Sequence, residues 1–269
     1  MQKNPGEGGL SIVIPTINSA RYIDIVLGFY LRHQIPVTVL VDNRSCDETF
    51  AIAKSLVSDT RLIRNCGTGV EDMLPSIAAM CPARWILRID DDELPTLGMM
   101  QFVKEAMGHP EIDAYGFPRY QCAISREALL LHAKAVSTSV HQQWRLYQPT
   151  RVTFYNTWHT PGFHPERIQK SAPASAILIH LDWAVHPYAE RLEKIERYDA
   201  HTPGEGTKWR SYYLYEEADL AGQEFAELPL SEFAQTSVDI AQRFPDLCVE
   251  LENVFVENRV GFPSAADSD

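Results

Sequence analysis

The chain has 269 residues, of which 45% are hydrophobic, and a formal net charge of −12. That length and apolar content support a sizeable core and exclude disorder over most of the chain. The acidic balance disfavours nucleic acid as a main partner and broad adhesion to anionic lipid.

No apolar run approaches the ~20 residues of a membrane span. The polar, glycine-rich stretch Met1–Gly9 lacks the apolar centre of a signal peptide. Five cysteines (Cys46, Cys66, Cys81, Cys122, Cys248) show no paired spacing, which predicts reduced thiols and a cytoplasmic setting.

Leu10–Pro15 predicts a buried strand, with Asn18 or Ser19 capping a helix that carries Tyr22, Val26, Phe29 and Tyr30. Val37–Val41 predicts a second strand ending at Asp42-Asn43. Ser45 and Glu48 have the spacing of a capping box for the next helix. Leu62-Ile63 predicts a third strand, and a helix follows over Val70–Met80. Trp85–Ile89 predicts a fourth strand that runs directly into Asp90, Asp91, Asp92 and Glu93. Thr96 is positioned to cap a helix bearing Met99, Phe102, Val103 and Ala106.

This alternation predicts an α/β fold with a mostly parallel sheet flanked by helices. Ligands in such sheets gather at the carboxyl ends of the strands, where Asp42 and the acid cluster both fall. Beyond residue 109 the pattern is less regular. It predicts a strand over Asp113–Cys122, a hairpin region over Trp144–Tyr155, a strand over Ala176–Ile179 ending in His180, and helices from about Pro187. The chain divides on this pattern into a regular half, 1–109, and an irregular half with C-terminal helices, 110–269, forming one continuous domain. Residues 264–269 are expected to be a disordered tail.

Four acids in a row after a buried strand repel one another, and a hard divalent cation resolves that conflict. Alternation along an extended chain places Asp90 and Asp92 on one side. A helix N-terminus also rewards acids, which accounts for Glu93 but not for the whole cluster. Arg88 either balances these charges or is a surface arginine.

Three segments then carry a resemblance. Ser11-Ile12-Val13-Ile14-Pro15-Thr16-Ile17-Asn18 resembles the opening strand of family-2 glycosyltransferases. Val41-Asp42-Asn43-Arg44-Ser45-Cys46-Asp47-Glu48-Thr49 is similar to their second-strand motif, and Trp85–Pro95 resembles their Asp-x-Asp segment. The resemblance covers Leu10–Gly108 and implies a GT-A-like fold and an inverting transfer of sugar from a nucleotide-diphosphate donor, of the cell-envelope or polysaccharide type. It implies a nucleotide site of Pro15, Thr16, Ile17, Asp42, Asn43, Asp90 and Asp91. It also implies a Mn²⁺ or Mg²⁺ ion on Asp92 and Asp90, with His180 resembling a late histidine ligand. The acceptor is expected to be a glycan or lipid-linked molecule, with at most peripheral contact at the inner face of a membrane.

Inverting transfer needs a base on the acceptor side. The family's His-Glu pair is replaced here by His159-Thr160, so His141, His159 and Asp182 stay open as candidates, with Asp182 preferred. The aromatic stretch Lys208–Glu217 reads as a core-facing amphipathic helix. Two other functions remain. One is a nucleotidyltransferase, which usually carries a glycine-rich phosphate loop where this chain has Pro15–Arg21. The other is a non-catalytic nucleotide-sugar-binding protein on the same scaffold.

Overall fold

A computed structural model describes residues 9–65, 67, 69–124, 129–132, 142–155, 161–217, 225–227, 231–248 and 259–260. The elements in chain order are β1 (Leu10–Thr16), α1 (Ile23–Arg32), β2 (Thr38–Asp42), α2 (Thr49–Leu56), β3 (Thr60–Ile63), α3 (Leu74–Met80), β4 (Trp85–Arg88), β5 (Glu93–Pro95) and α4 (Leu97–Ala106). They continue as β6 (Ala114–Ile124), β7 (Leu129–His132), β8 (Gln142–Tyr147), β9 (Val152–Phe154), β10 (Phe163–Pro165), β11 (Gln169–Ser171) and β12 (Leu178–His180). The last are α5 (Asp182–Val185), α6 (Tyr188–His201), α7 (Glu205–Tyr213), β13 (Phe225–Glu227), α8 (Ala234–Arg243) and β14 (Arg259–Val260). The chain forms two compact units. One holds Met1–Arg119 and Thr138–Leu178, the other Tyr120–Ser137 and Ile179–Asp269.

The first unit is an α/β sheet flanked by helices. Its strands follow the order β3-β2-β1-β4-β8-β6. β1 pairs in parallel with β2 and with β4, and β2 pairs in parallel with β3. Each of these connections is a crossover through a helix, which is how parallel neighbours are joined. Both faces of the centre are covered, so the strand sequences are continuous apolar runs. Val13, Leu40, Ile63 and Ile86 share one cluster with Leu74 and Ile77 of α3. The alternate residues Ile14, Val39, Val41 and Leu87 are fully buried too, and α2 packs on β2 and β3.

The second half of this unit departs from the sequence expectation. Trp144–Tyr155 is not one hairpin: β8 runs antiparallel to both β4 and β6, and β9 finds its partner in β10. Turn chemistry announces a hairpin only when its strands are neighbours in sequence, and β8 is not a sequence neighbour of β4 or of β6. Pairing of β6 with β8 slips between Tyr115 and Gly116. A Cβ at Gly116 would stand 2.9 Å from Gln142 Oε1 and 3.1 Å from the Trp144 ring, so glycine permits that close approach.

The second unit starts with the end of β6, which pairs antiparallel with β7. β7 pairs antiparallel with β13, and β13 pairs in parallel with β14. Its helices α6 and α7 pack together around Ile195, Tyr213 and Leu214. Arg191 is fully buried there. It donates to the His186 and Tyr213 carbonyls and to Glu216, and lies 4.6 Å from the Tyr215 ring centre. One side chain thus ties α6 to the end of α7.

Among the described residues no helix is long and apolar enough to cross a membrane. Cys46, Cys81, Cys122 and Cys248 are free thiols. The tail 264–269 lies outside the described residues.

Candidate active site

The first unit brings its three motif segments to the carboxyl ends of β1, β2 and β4. Pro15 and Thr16 close β1 in register with Leu40 and Val41 of β2. The Thr16 hydroxyl donates to Asp91 Oδ2 at 2.5 Å, which links the end of β1 to the acid cluster. Ile17 follows with its side chain exposed.

The motif around Ser45 turns out to be a lace between loops. The Asn18 amide donates to Ser45 Oγ at 2.8 Å, and the Cys46 amide returns a bond to Asn18 Oδ1 at 2.8 Å. The Ser19 amide donates to Thr49 Oγ1 and the Ala20 amide to Asp47 Oδ2. Asn18 holds a φ of 52°, a left-handed conformation that asparagine tolerates better than most residues. These bonds correct two expectations. Neither Asn18 nor Ser19 caps α1, and Ser45 does not box α2. The Asn18 and Ser45 side chains each satisfy the other's loop instead, and the Ser19 hydroxyl pairs with that of Thr16. Asp47 Oδ1 serves the start of α2, accepting from the Thr49 amide and hydroxyl.

Asp42 ends β2 beneath this lace. Arg44 grips it from two residues on: Nε to Oδ1 at 3.0 Å, Nη2 to Oδ2 at 2.6 Å, and the Arg44 amide to Oδ1 at 2.9 Å. Burial alone would raise the Asp42 carboxyl; the bonds and charge of Arg44, with a bond from Asn65, hold it below its usual range. Asn43 is exposed, and its amide donates to the Ile63 carbonyl.

The acid cluster is a turn, not the extended strand that alternation required. The Glu93 amide donates to the Asp90 carbonyl at 3.0 Å, closing the turn. The four acids therefore differ in their surroundings, although Asp90 and Glu93 share Arg145. Asp91 meets Thr16. Asp90 Oδ2 accepts from Arg145 Nη2 at 2.5 Å, and Arg88 stands 3.8 Å from Oδ1. Asp92 is buried. Glu93 is fully buried between Arg145 at 2.5 Å and Arg119 at 3.0 Å. Burial pushes the Glu93 carboxyl up, to about 8; Asp90 and Asp92 push the same way, and Arg119 pulls against them. Arg88 is buried, so of its two sequence readings the balancing one holds.

Arg145 and Arg119 were missed by sequence reasoning. Their one signal was an arginine set among apolar and aromatic residues, as in Trp144-Arg145-Leu146-Tyr147. Glu71 was missed as well. It is partly buried, and burial raises its carboxyl against the pull of Arg88. Gly162 lies over it with φ at 77°, where a Cβ would stand 3.2 Å from Glu71 Cγ and 2.5 Å from Leu74 Cδ1.

The second unit holds His180 and Asp182, at the end of β12 and the start of α5. Both are buried. The His180 ring stacks on Tyr212 with centroids 6.5 Å apart. Lys194 Nζ lies 2.8 Å from Asp182 Oδ1 and 4.6 Å from the Tyr213 ring centre. The ammonium stabilises the negative charge of the carboxylate. Of the two tyrosines the core-facing reading buries, Tyr215 is buried and Tyr212 half-buried, and Tyr213 is buried beside them. His141 and His159 lie outside the described residues. Asp92, His180 and Asp182 are each buried and each offer an atom of the type that holds a metal ion.

Comparison with protein-family models finds no match, and no curated protein sequence matches the chain. The structure is similar to that of S. aureus TarS 1–349, at 12% identity and a TM-score of 0.43, over 91% of this chain and 82% of that one. TarS 1–349 has also been solved in complex with UDP-GlcNAc. Other similar structures are CMP:2-keto-3-deoxy-manno-octonic acid synthetase complexed with CTP (11% identity, TM-score 0.37, 52% of this chain and 74% of that one) and a 4-diphosphocytidyl-2C-methyl-D-erythritol synthase (17%, 0.39, 63% and 92%). At these scores and identities the likeness is one of α/β architecture, and activity has to be argued from this chain's own residues.

Proposed function

We propose that this protein is a metal-assisted glycosyltransferase that moves a sugar from a nucleoside-diphosphate donor to a hydroxyl acceptor, with inversion at the anomeric carbon. The observation that carries this reading is the Thr16–Asp91 hydrogen bond. It joins two of the three motif segments at the carboxyl ends of parallel strands, with Asp42 on the strand beside them. A parallel sheet receives its ligand at that end.

Asp92 is the proposed donor to a Mn²⁺ or Mg²⁺ ion; a buried carboxylate oxygen suits such a cation. When bound, the cation stabilises negative charge on the leaving diphosphate. The chain's own part is positioning. Arg145, Arg119 and Arg88 fix the acid turn so that it does not collapse or splay under its own repulsion. Thr16 and Asp91 hold the turn against β1. Asp182, paired with Lys194 at 2.8 Å, is the proposed base for the acceptor proton.

The test is turnover of a panel of nucleotide sugars with Mn²⁺ and a range of glycan and lipid-linked acceptors. Sugar transfer should release a nucleoside diphosphate. Pyrophosphate release from a nucleoside triphosphate would mark a nucleotidyltransferase instead, and binding without any turnover would mark a binding protein. Asp92→Asn should cut metal-dependent turnover by at least ~10²-fold, the scale of losing one electrostatic stabiliser. Unchanged turnover in that variant would remove Asp92 from the cation site.

A further inference from the structure

We infer that Arg44, rather than Asp42, is the side chain that meets the nucleotide, its guanidinium plane lying flat on the base while Asp42 acts as its positioning residue. This rests on the nucleotide-sugar reading and refines it.

The hydrogen-bond capacity of Asp42 is the starting point. A carboxylate offers about four lone-pair sites. Asp42 already accepts from the Arg44 amide, Nε and Nη2, and from Asn65. Its side chain is 2% exposed, whereas that of Arg44 is 44% exposed. A base or ribose cannot bond to Asp42 without first evicting Arg44, and that would leave a buried carboxylate without its charge partner.

Arg44 is held on two sides. Asp42 takes Nε and Nη2, and the Gly67 carbonyl takes Nη1 at 2.7 Å. The guanidinium therefore bridges the end of β2 and the loop after β3. These bonds lie in the guanidinium plane and engage three of its five N–H donors. Its flat face is a surface of the kind that stacks well on aromatic rings and bases. The neighbouring β1–α1 loop presents an exposed apolar side chain, Ile17. That loop is fixed to the Arg44 loop by the Asn18–Ser45 and Cys46–Asn18 bonds. A flat cation and an aliphatic side chain suit an uncharged aromatic base.

The experiment is calorimetric titration of the full chain with UDP, CDP, GDP and ADP, and separately with inorganic pyrophosphate, in the presence of Mn²⁺. The proteins are wild type, Arg44→Ala, Arg44→Lys, Asp42→Asn and the Arg44→Ala/Asp42→Asn double variant. Wild type should bind at least one of the four nucleotides. Arg44→Ala and Arg44→Lys should weaken that binding about tenfold, the scale of one lost base stack, with pyrophosphate affinity unchanged. Asp42→Asn should weaken nucleotide binding alone but add nothing once Arg44 is gone. Arg44→Lys keeps the charge without the plane, and carries the test should Arg44→Ala lose its fold by circular dichroism.

Undiminished nucleotide affinity in both Arg44 variants overturns the proposal. So does an Asp42→Asn loss that persists in the Arg44→Ala background, which would make Asp42 the direct contact. An equal loss of pyrophosphate binding would move Arg44 to the phosphates and overturn the stacking role. Wild type that binds none of the four nucleotides would remove the nucleotide reading itself, and this proposal with it.

Discussion

Two acidic sites sit at strand ends of the same sheet, and they are balanced in different ways. Asp42 is neutralised from within its own loop, by Arg44 two residues along. The β4–β5 turn is neutralised from afar, by Arg119 and Arg145, which lie 26 and 52 residues beyond Glu93. A local pair forms wherever the loop forms. A distant pair exists only once β6 and β8 have docked, so the acid turn reports on the completed sheet. The contrast matters for function as well: the local pair leaves an exposed guanidinium, while the distant one buries its cations and leaves carboxylates at the surface and in the interior.

The largest expected effect tests the distant balance. Arg145→Met removes a cation that is 2% exposed and leaves Glu93 buried at 0% with Arg119 as its remaining close partner. Breaking a buried pair from one side costs about 3–5 kcal/mol. Urea unfolding at about pH 9, above the Glu93 value of about 8, should show a loss of that size, and a loss under ~1 kcal/mol would mean the turn does not need the arginine.

The lace between the two loops comes next. Asp47→Ala removes acceptors for the Ala20 amide and for the Thr49 amide and hydroxyl. About 1–2 kcal/mol of stability should go with them. Hydrogen exchange at Ala20 and Thr49 should speed up while the acid turn is unaffected. Equal acceleration at both sites would erase the distinction between local and distant balance.

Thr96→Ala tests a helix cap in the second region. Thr96 accepts from the Met99 amide at 3.0 Å and caps α4. About 1 kcal/mol should be lost, read as a small drop in Tm.

The smallest effect is a pH dependence. The folded-state pKa of Asp42 lies below its ordinary 3.8. Its stabilisation is therefore complete above that value and is lost as pH falls through the folded one. Thermal melts between about pH 5 and pH 2 should show a steeper fall for wild type than for Asp42→Asn. Parallel curves would show that the Arg44 grip does not perturb Asp42.

Chain periodicity made the first hundred residues legible. Buried parallel strands are short continuous apolar runs and the helices between them keep a 3.6-residue period, so β1 to β4 and α1 to α4 follow from residue types alone, while β5 does not. The Thr96 cap was equally readable, because cap and helix lie three residues apart. The spacing of Ser45 and Glu48 misled for the same reason in reverse. A capping box assumes that the serine hydroxyl has no better partner, and the Asn18 amide of another loop supplied one.

The sequence by itself determined the alternating architecture, the placing of Asp42 and the acid cluster after strands, and the family the motifs resemble. All of these depend on neighbours along the chain. The tertiary structure alone decided which way each acid turns, which arginines answer them, and that β8 inserts between β4 and β6. Those outcomes depend on charges brought together across dozens of residues, where burial makes an unpaired ion too costly to leave and no spacing rule says which partner will arrive.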